Sequence, residues 1–251
     1  MTEVKTNLST DKIMIAAMNM VEKKHGNLPI LHLDIGSGNG SLISLLRNKF
    51  KIKSSACDYT KELMTLSDVH VDVANLNVDK LPYANETFDV VTITEVVEHL
   101  EHYRETLQET YRVLRKNGTL VVITPNILNL KSRIRFLIFG FYNLFGPLHF
   151  KESALHSAGG HITPISLFYL IHALVDAGYD DFDVTIDKRQ STSLFWLIFL
   201  YLPIKLFGKI TSIKEKSKFK TIDAHNEKYV DMLNTFDILL GRTIVVGCKK
   251  L

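Results

Sequence analysis

Leu31-His-Leu-Asp-Ile-Gly-Ser-Gly-Asn-Gly40 is the stretch whose reading decides the fold. Ile30, Leu31, Leu33 and Ile35 form an apolar run that ends in a Gly-x-Gly-x-Gly turn at Gly36, Gly38 and Gly40, and Leu42, Ile43, Leu45 and Leu46 then recur at helical spacing. That order is strand, glycine turn, helix. A chain reversing out of a buried strand needs the backbone freedom of glycine, and a missing Cβ lets a ligand lie against the main chain.

Nicotinamide, flavin and S-adenosylmethionine (SAM) proteins all use such a turn. A dinucleotide fingerprint wants Gly-x-Gly-x-x-Gly, so that a pyrophosphate sits on the helix N-terminus. Here the third glycine comes one position early and Asp34 precedes the first. A carboxylate beside the turn suits a cationic ligand better than a pyrophosphate, and SAM carries an ammonium and a sulfonium.

Leu33-Asp-Ile-Gly-Ser-Gly-Asn-Gly40 resembles motif I of the class I SAM-dependent methyltransferases. The resemblance continues through Phe88-Asp-Val-Val-Thr-Ile-Thr-Glu-Val-Val-Glu-His99 and Gly118-Thr-Leu-Val-Val-Ile-Thr-Pro-Asn126, so it covers about the first half of the chain. It is similar in these motifs to the ubiquinone-biosynthesis O-methyltransferases of the methyltransferase type 11 group. The resemblance implies an α/β fold: a doubly wound, mostly parallel seven-stranded Rossmann-like sheet with an antiparallel C-terminal hairpin strand. It implies a single domain over 1–251, with a SAM-binding half at 1–126 and helical insertions at 127–163 and 190–230 that cover the acceptor site.

A chain of 251 residues is long enough for one large α/β domain with its own core. The net charge of +3 neither demands nor excludes an anionic partner. Two cysteines, Cys57 and Cys248, make no disulfide framework and no Cys-x-x-Cys zinc spacing. With a polar N-terminus that has no apolar run of signal type, an intracellular, cytoplasmic setting is the expectation. The longest apolar run, Leu194 to Ile204, contains Pro203 and meets Lys205, short of the roughly 20 residues of a spanning helix. It is therefore not expected to cross a membrane.

Helical spacing over Asp11 to Lys24 predicts a covering helix stopped by Gly26. Strands are predicted at Ile52 to Ala56, Val69 to Val73, Phe88 to Thr94 and Gly118 to Thr124. Helices are predicted at Thr60 to Leu66, at about Val96 to Lys116, and at Ile165 to Asp176, the last with Thr163 as N-cap and Pro164 as its first residue. Asp181 to Ile186 and Arg242 to Cys248 supply two more strands, paired antiparallel. Ile127 to Phe150 reads as a basic amphipathic segment, with Ile127, Leu130, Ile134, Leu137, Ile138 and Phe141 on one stripe and Lys131, Arg133 and Arg135 nearby. Together with 194–213 it suggests membrane-surface contact, while plain packing on the core is the competing reading.

The expected cofactor residues are Asp34, Gly36, Ser37, Gly38 and Gly40 at the turn, with Thr94 at the end of the central strand. Asp58, about 20 residues past the glycines, is the expected ribose ligand, its alternative being the cap of the helix after it. By the resemblance, Asn75 and Leu76 stand where the family binds adenine. The family has an acid at the first of these positions; a carboxamide oxygen still accepts from the adenine amine, and Asp72 is the rival.

Glu95, Glu98 and His99, spaced i, i+3, i+4, would share one face of a helix start beside the methyl donor. Crowded carboxylates favour a cation or a shared proton. The resemblance implies Glu95 and His99 as catalytic residues and a site for Mg²⁺ or another divalent cation at Glu95, Glu98, His99 and His161. Against it stands the ordinary preference of glutamate for a first helical turn, and the frequency of histidine nearby at His149 and His156.

The leading expectation is O-methylation of a small or lipid-like acceptor by in-line transfer from SAM, with peripheral contact to a membrane. The alternatives are an RNA 2′-O-methyltransferase, nucleic acid being the lesser expectation, and a non-catalytic SAM-binding or NAD-binding Rossmann-like protein.

Overall fold

The computed structural model describes residues 11–26, 30–148 and 160–251. Its seven strands are β1 (Ile30–Ile35), β2 (Ile52–Asp58), β3 (Val71–Val73), β4 (Phe88–Thr94), β5 (Leu114–Pro125), β6 (Tyr179–Ile186) and β7 (Thr243–Lys250). They form one sheet in the order β3-β2-β1-β4-β5-β7-β6. β1, β2, β3, β4 and β5 pair in parallel, while β7 lies antiparallel between β5 and β6. The C-terminal strand therefore sits inside the sheet, not at its edge.

Side-chain alternation sends neighbouring residues to opposite faces, and helices cover both. Leu33, Ile35, Val91, Ile93, Leu120, Val122, Ile244 and Val246 pack under α3 (Tyr103–Val113) and α5 (Leu167–Ala177). Val90, Val121, Ile123 and Val245 pack under α1 (Asp11–His25) and α2 (Ser41–Arg47). The remaining helices, α4 (Leu130–Phe139), α6 (Ser191–Lys214), α7 (Glu227–Met232) and α8 (Phe236–Leu240), come from the segments after β5 and β6.

Several predicted elements differ. In place of a continuous helix over 96–116 the chain forms a single 3-10 turn at Val97–His99 and restarts at Tyr103. Leu100 is extended, and Asn77 Oδ1 accepts from the N–H groups of Glu101 and His102, which opens the new helix. That helix ends at Val113 because buried Leu114 is already paired with Phe88, so β5 starts four residues before Gly118. Residues 60–66 form no helix; Met64 and Leu66 pack instead on the turn at Gly40. The third strand is only Val71–Val73. Thr163 does not cap α5: its hydroxyl donates to the Leu100 carbonyl, and the N-cap is Ser166.

The largest correction concerns 191–214. Pro203 does not break the helix; α6 runs 24 residues through it, and by length and composition the helix is long and apolar enough to cross a membrane. α4 is shorter than the predicted segment and ends at Gly140, whose φ of 75° is left-handed. The part of that segment beyond 148 lies outside the described residues, as do His149 and His156.

Asn126 locks the carboxyl end of β5 to these insertions. Its buried Nδ2 donates to the carbonyls of Ile238 (2.7 Å) and Gly241 (3.0 Å), and its Oδ1 accepts from Leu128 N–H. Asn126→Ala strands two buried carbonyls and a half-buried N–H, and urea unfolding should show a loss of about 2 to 4 kcal/mol. A loss below about 0.5 kcal/mol would show that the loops repair themselves without it.

Candidate functional site

Strand order reverses between β1 and β4, since β2 lies on one side of β1 and β5 on the far side of β4. At such a switch point the loops leave in opposite directions and open a crevice at the carboxyl ends of the strands. Asp34, Asp58 and Thr94 stand at those ends, on β1, β2 and β4.

The glycine turn is pinned to β2. Gly36 and Ser37 donate to the Cys57 carbonyl (2.8 and 3.4 Å), and Gly38 N–H donates to Asp58 Oδ2 at 2.8 Å. All three glycines have positive φ. A Cβ on Gly36 would lie 2.1 Å from Val96 Cγ2, and one on Gly40 2.8 Å from Met64 Sδ, whereas one on Gly38 would meet no atom within 4 Å. Two glycines are thus required by packing, and the middle one leaves bare main chain. Beside it the Ser37 and Thr94 hydroxyls are buried with no partner in the protein.

Beneath the turn, a chain of polar groups crosses three strands. Thr92 Oγ1 donates to Asp34 Oδ1 at 2.6 Å; His32 Nε2 lies 2.8 Å from the same hydroxyl, and His32 Nδ1 lies 3.1 Å from Ser54 Oγ. Burial pushes the His32 imidazole down to about 3, so it is neutral and Nε2 carries the proton that Thr92 accepts. Burial likewise pushes the Asp34 carboxyl up to about 7, against the lowering effect of the Thr92 bond. Asp58 is also raised by burial, partly offset by backbone N–H donors that include Gly38. Two desolvated carboxyls therefore border one loop. A ligand bringing positive charge and hydroxyl donors relieves both, which is the chemistry of SAM and not of a dinucleotide pyrophosphate.

The rival adenine positions are already partly engaged. Asn75 Oδ1 accepts from Asn77 N–H (3.1 Å), and Asp72 Oδ2 accepts from the Tyr83 hydroxyl (2.8 Å). Asn77, which the sequence did not single out, anchors this loop to the start of α3.

A second polar cluster lies past the end of β4. Ligand atoms of Glu98, His99 and His161 all fall within 4.8 Å of one another. Glu95, expected as a fourth member, is outside this group: its backbone turns left-handed (φ 54°) and its N–H donates to the Ile123 carbonyl. Glu98 is fully buried, with Oε2 accepting from Thr124 Oγ1 at 3.0 Å and Oε1 unpartnered; burial first, and then the nearby Glu95 charge, push its carboxyl up to about 8. His99 Nδ1 donates to the Gly160 carbonyl at 3.0 Å, so Nε2 keeps its lone pair, and burial holds the imidazole below its usual value. His161 packs edge-on to His99 at 4.7 Å, hydrogen-bonds the Leu144 carbonyl and leaves Nδ1 buried without a partner. Its imidazole is pushed down to about 4, by burial first and then by His99. The 160–163 loop is held there because Ile162 and Thr163 donate to the Glu98 carbonyl.

Residues 33–122 match the family model described as a methyltransferase domain. An uncharacterized protein of Methanocaldococcus jannaschii is 28% identical over 144 residues, 57% of this chain and 61% of its own. A demethylmenaquinone methyltransferase of Alkalihalophilus pseudofirmus is 33% identical over 79 residues, 28% of this chain and 34% of its own. The chain thus spans less than two thirds of the length of these curated relatives. Among solved structures, a SAM-dependent methyltransferase of Archaeoglobus fulgidus superposes with a TM-score of 0.58 at 18% identity, covering 96% of this chain and 95% of that one. Phosphoethanolamine N-methyltransferase 2 of Haemonchus contortus, solved with SAM, gives a TM-score of 0.53 at 13% identity over 93% of this chain and 52% of its own. At these identities the likeness is one of fold.

The raised Asp34 carboxyl has a consequence for stability. The unfolded chain releases this proton near 3.8 and the folded chain near 7, so stability present below pH 3.8 is lost as the pH rises to about 7 and is level above it. The loss is on the order of 4 kcal/mol for a fully buried group. Asp34→Asn keeps an acceptor for Thr92, and its ligand-free melting temperature should exceed that of the parent at pH 8 and converge with it at pH 4. Parallel melting curves across that range would show that Asp34 titrates normally.

Proposed function

We propose that the chain is a class I SAM-dependent methyltransferase, a reading that the match of residues 33–122 to a methyltransferase domain supports, and that it methylates an oxygen of a small, lipid-like acceptor. The observation that carries this reading is a neutral imidazole, His99, fixed by the Gly160 carbonyl with its Nε2 lone pair free, past the end of the strand that borders the glycine turn. When bound, SAM supplies a methyl carbon already activated by its sulfonium. His99 Nε2 would take the acceptor hydroxyl's proton as the oxygen displaces the sulfur from the methyl carbon. Asp58 would accept the ribose hydroxyls, Gly36, Ser37, Gly38 and Gly40 would offer main chain to the methionyl part beside Asp34, Asn75 and Leu76 would take the adenine, and Thr94 and Glu95 would line the donor site.

The acceptor class is supported by what stands at the same edge. α4 leaves the carboxyl end of β5 with Phe136, Leu137, Ile138 and Phe139 exposed. Two of the three basic residues beside the α4 stripe are committed to the protein's own loops. Arg133 donates to the carbonyls of Leu128 and Leu233 and to Asn234 Oδ1, and Arg135 donates to the carbonyls of Phe141, Tyr142 and Phe145. Both arginines hold loops, so neither is free to pair with a phosphate backbone.

A second reading of the Glu98, His99 and His161 cluster rests on the unpartnered Glu98 Oε1 and His161 Nδ1. Each imidazole has a carbonyl fixing its outer nitrogen, the arrangement found around metal-binding histidines. These three residues would hold a divalent cation, which would acidify a coordinated hydroxyl.

Titration calorimetry checks the donor site. The chain should bind SAM and not NAD, and Asp58→Ala should weaken SAM by about 1 to 3 kcal/mol through lost hydrogen bonds. Tight NAD binding with no heat from SAM would end the reading. For the cation, melting in EDTA and in Mg²⁺, Mn²⁺ or Zn²⁺ should show a metal-dependent rise that His161→Ala removes while SAM affinity stays within about twofold. Identical melting in all four conditions would leave His99 as base alone.

A further inference from the structure

α6 is apolar almost all the way round and is held to the body by a thin line of contacts. Of its 24 residues only Ser193 is buried, its hydroxyl accepting from Lys131 N–H of α4; farther along, Tyr201 stacks on Phe236. Leu194, Ile198, Phe199, Leu202, Leu206 and Ile213 are exposed over the length of the helix, Ile198 and Leu202 by 77% and 76%. The exposed end of α4 adds Leu137 at 78%. So large an apolar surface on two touching helices marks a docking face.

Charge indicates what docks there. Residues 191–220 hold six lysines, Lys205, Lys209, Lys214, Lys216, Lys218 and Lys220, against one glutamate, Glu215. With the whole chain at +3, this stretch is +5 and the rest is −2. All six lysines lie after residue 204, and Lys205 and Lys218 lie over the rings of Tyr201 and Phe219, their stems along the apolar surface. A second copy of this chain, docked by the same stretch, would supply the same excess of lysines and only Glu215 to meet them. An anionic bilayer answers both the apolar face and the basic flank.

Topology settles the pose. β6 before α6 and β7 after it are neighbours in one sheet. At the start of α6, Gln190 N–H donates to the Leu240 carbonyl; at its far end, Lys216 pairs with Glu227 at the start of α7. The chain entering α6 and the chain leaving it return to the same body, so the helix cannot pass to the opposite side of a membrane although its length allows it. α4 and α6 follow the carboxyl ends of β5 and β6, and β5 runs parallel to β4, which ends beside the donor site.

We propose that α6, with the exposed end of α4, lies in the plane of an anionic bilayer surface and sets the carboxyl edge of the sheet against the lipid. This deepens the lipid-like acceptor of the proposed function, but the docking itself needs no catalysis.

The test uses the full chain with vesicles of phosphatidylcholine alone or with about a third phosphatidylglycerol. Trp196, the single tryptophan, lies in α6 and serves as the reporter. Flotation should be at least about tenfold greater with the anionic vesicles, with a blue shift of Trp196 emission and stronger quenching by shallow than by deep bromines on the acyl chains. The pair Ile198→Glu and Leu202→Glu should abolish flotation with SAM affinity and melting temperature preserved. The pair Lys209→Glu and Lys214→Glu should remove the preference for anionic lipid. Three results overturn the proposal: no flotation with anionic vesicles; strongest quenching by the deepest bromines; or a dimer in sedimentation, with no flotation, that Ile198→Glu dissociates. Loss of SAM binding with flotation intact would strike the methyltransferase reading and leave the docking standing.

Discussion

The reversal of strand order between β1 and β4 is the constraint from which the rest follows. A parallel strand whose two neighbours connect away in opposite directions has nothing to cover its carboxyl end, so the polar main chain there must be satisfied by a turn, a ligand or water. This chain meets the demand with a glycine turn fastened sideways to Cys57 and Asp58 of β2. The turn stays open because Gly36 admits Val96 so closely that no side chain fits between them. Two carboxyls raised by burial, Asp34 and Asp58, border it.

Such a site is costly to fold. Asp34 and Glu98 are both raised by burial, and Ser37, Thr94, Glu98 and His161 keep buried polar atoms without protein partners. Other buried polar groups are tied off, as in the run from Ser54 through His32 and Thr92 to Asp34, or Thr110 with Tyr179, although His25, Thr119, Gln190 and Thr243 also keep an unpartnered buried atom. At the site the unmet partners coincide with carboxyls raised by burial, and that combination distinguishes a binding region from an ordinary core.

The antiparallel β7 has a mechanical role. By inserting between β5 and β6 it carries the chain back into the sheet after the long excursion through α6, α7 and α8. Asn126 fastens that return to the end of β5. The insertions are thereby held at both ends, so the apolar surfaces of α4 and α6 have a definite position relative to the site.

The sheet, the glycine turn, the place of Asp58 at a strand end and the antiparallel pairing of the last two strands were legible in the residues, because buried parallel strands read as β-branched runs and a turn needing positive φ reads as glycine. Boundaries were less so. The break at Leu100 depends on Asn77, more than 20 residues away, and the start of β5 at Leu114 depends on pairing with Phe88, neither of which local periodicity carries. Pro203 reads as a helix stop on propensity alone, yet α6 continues through it.

The residues alone determined which groups were available: glycines at alternate positions, an acid at each of two strand ends, and a Glu-x-x-Glu-His whose spacing is visible at a glance. Only the tertiary structure decided which of them meet. His161 reaches His99 from 62 positions along the chain because the Glu98 carbonyl holds its loop, and Glu95 falls outside that cluster because its backbone turns left-handed. Contacts of that kind arise between segments that no local pattern connects, and they exist only once the sheet has brought the ends of its strands to one edge.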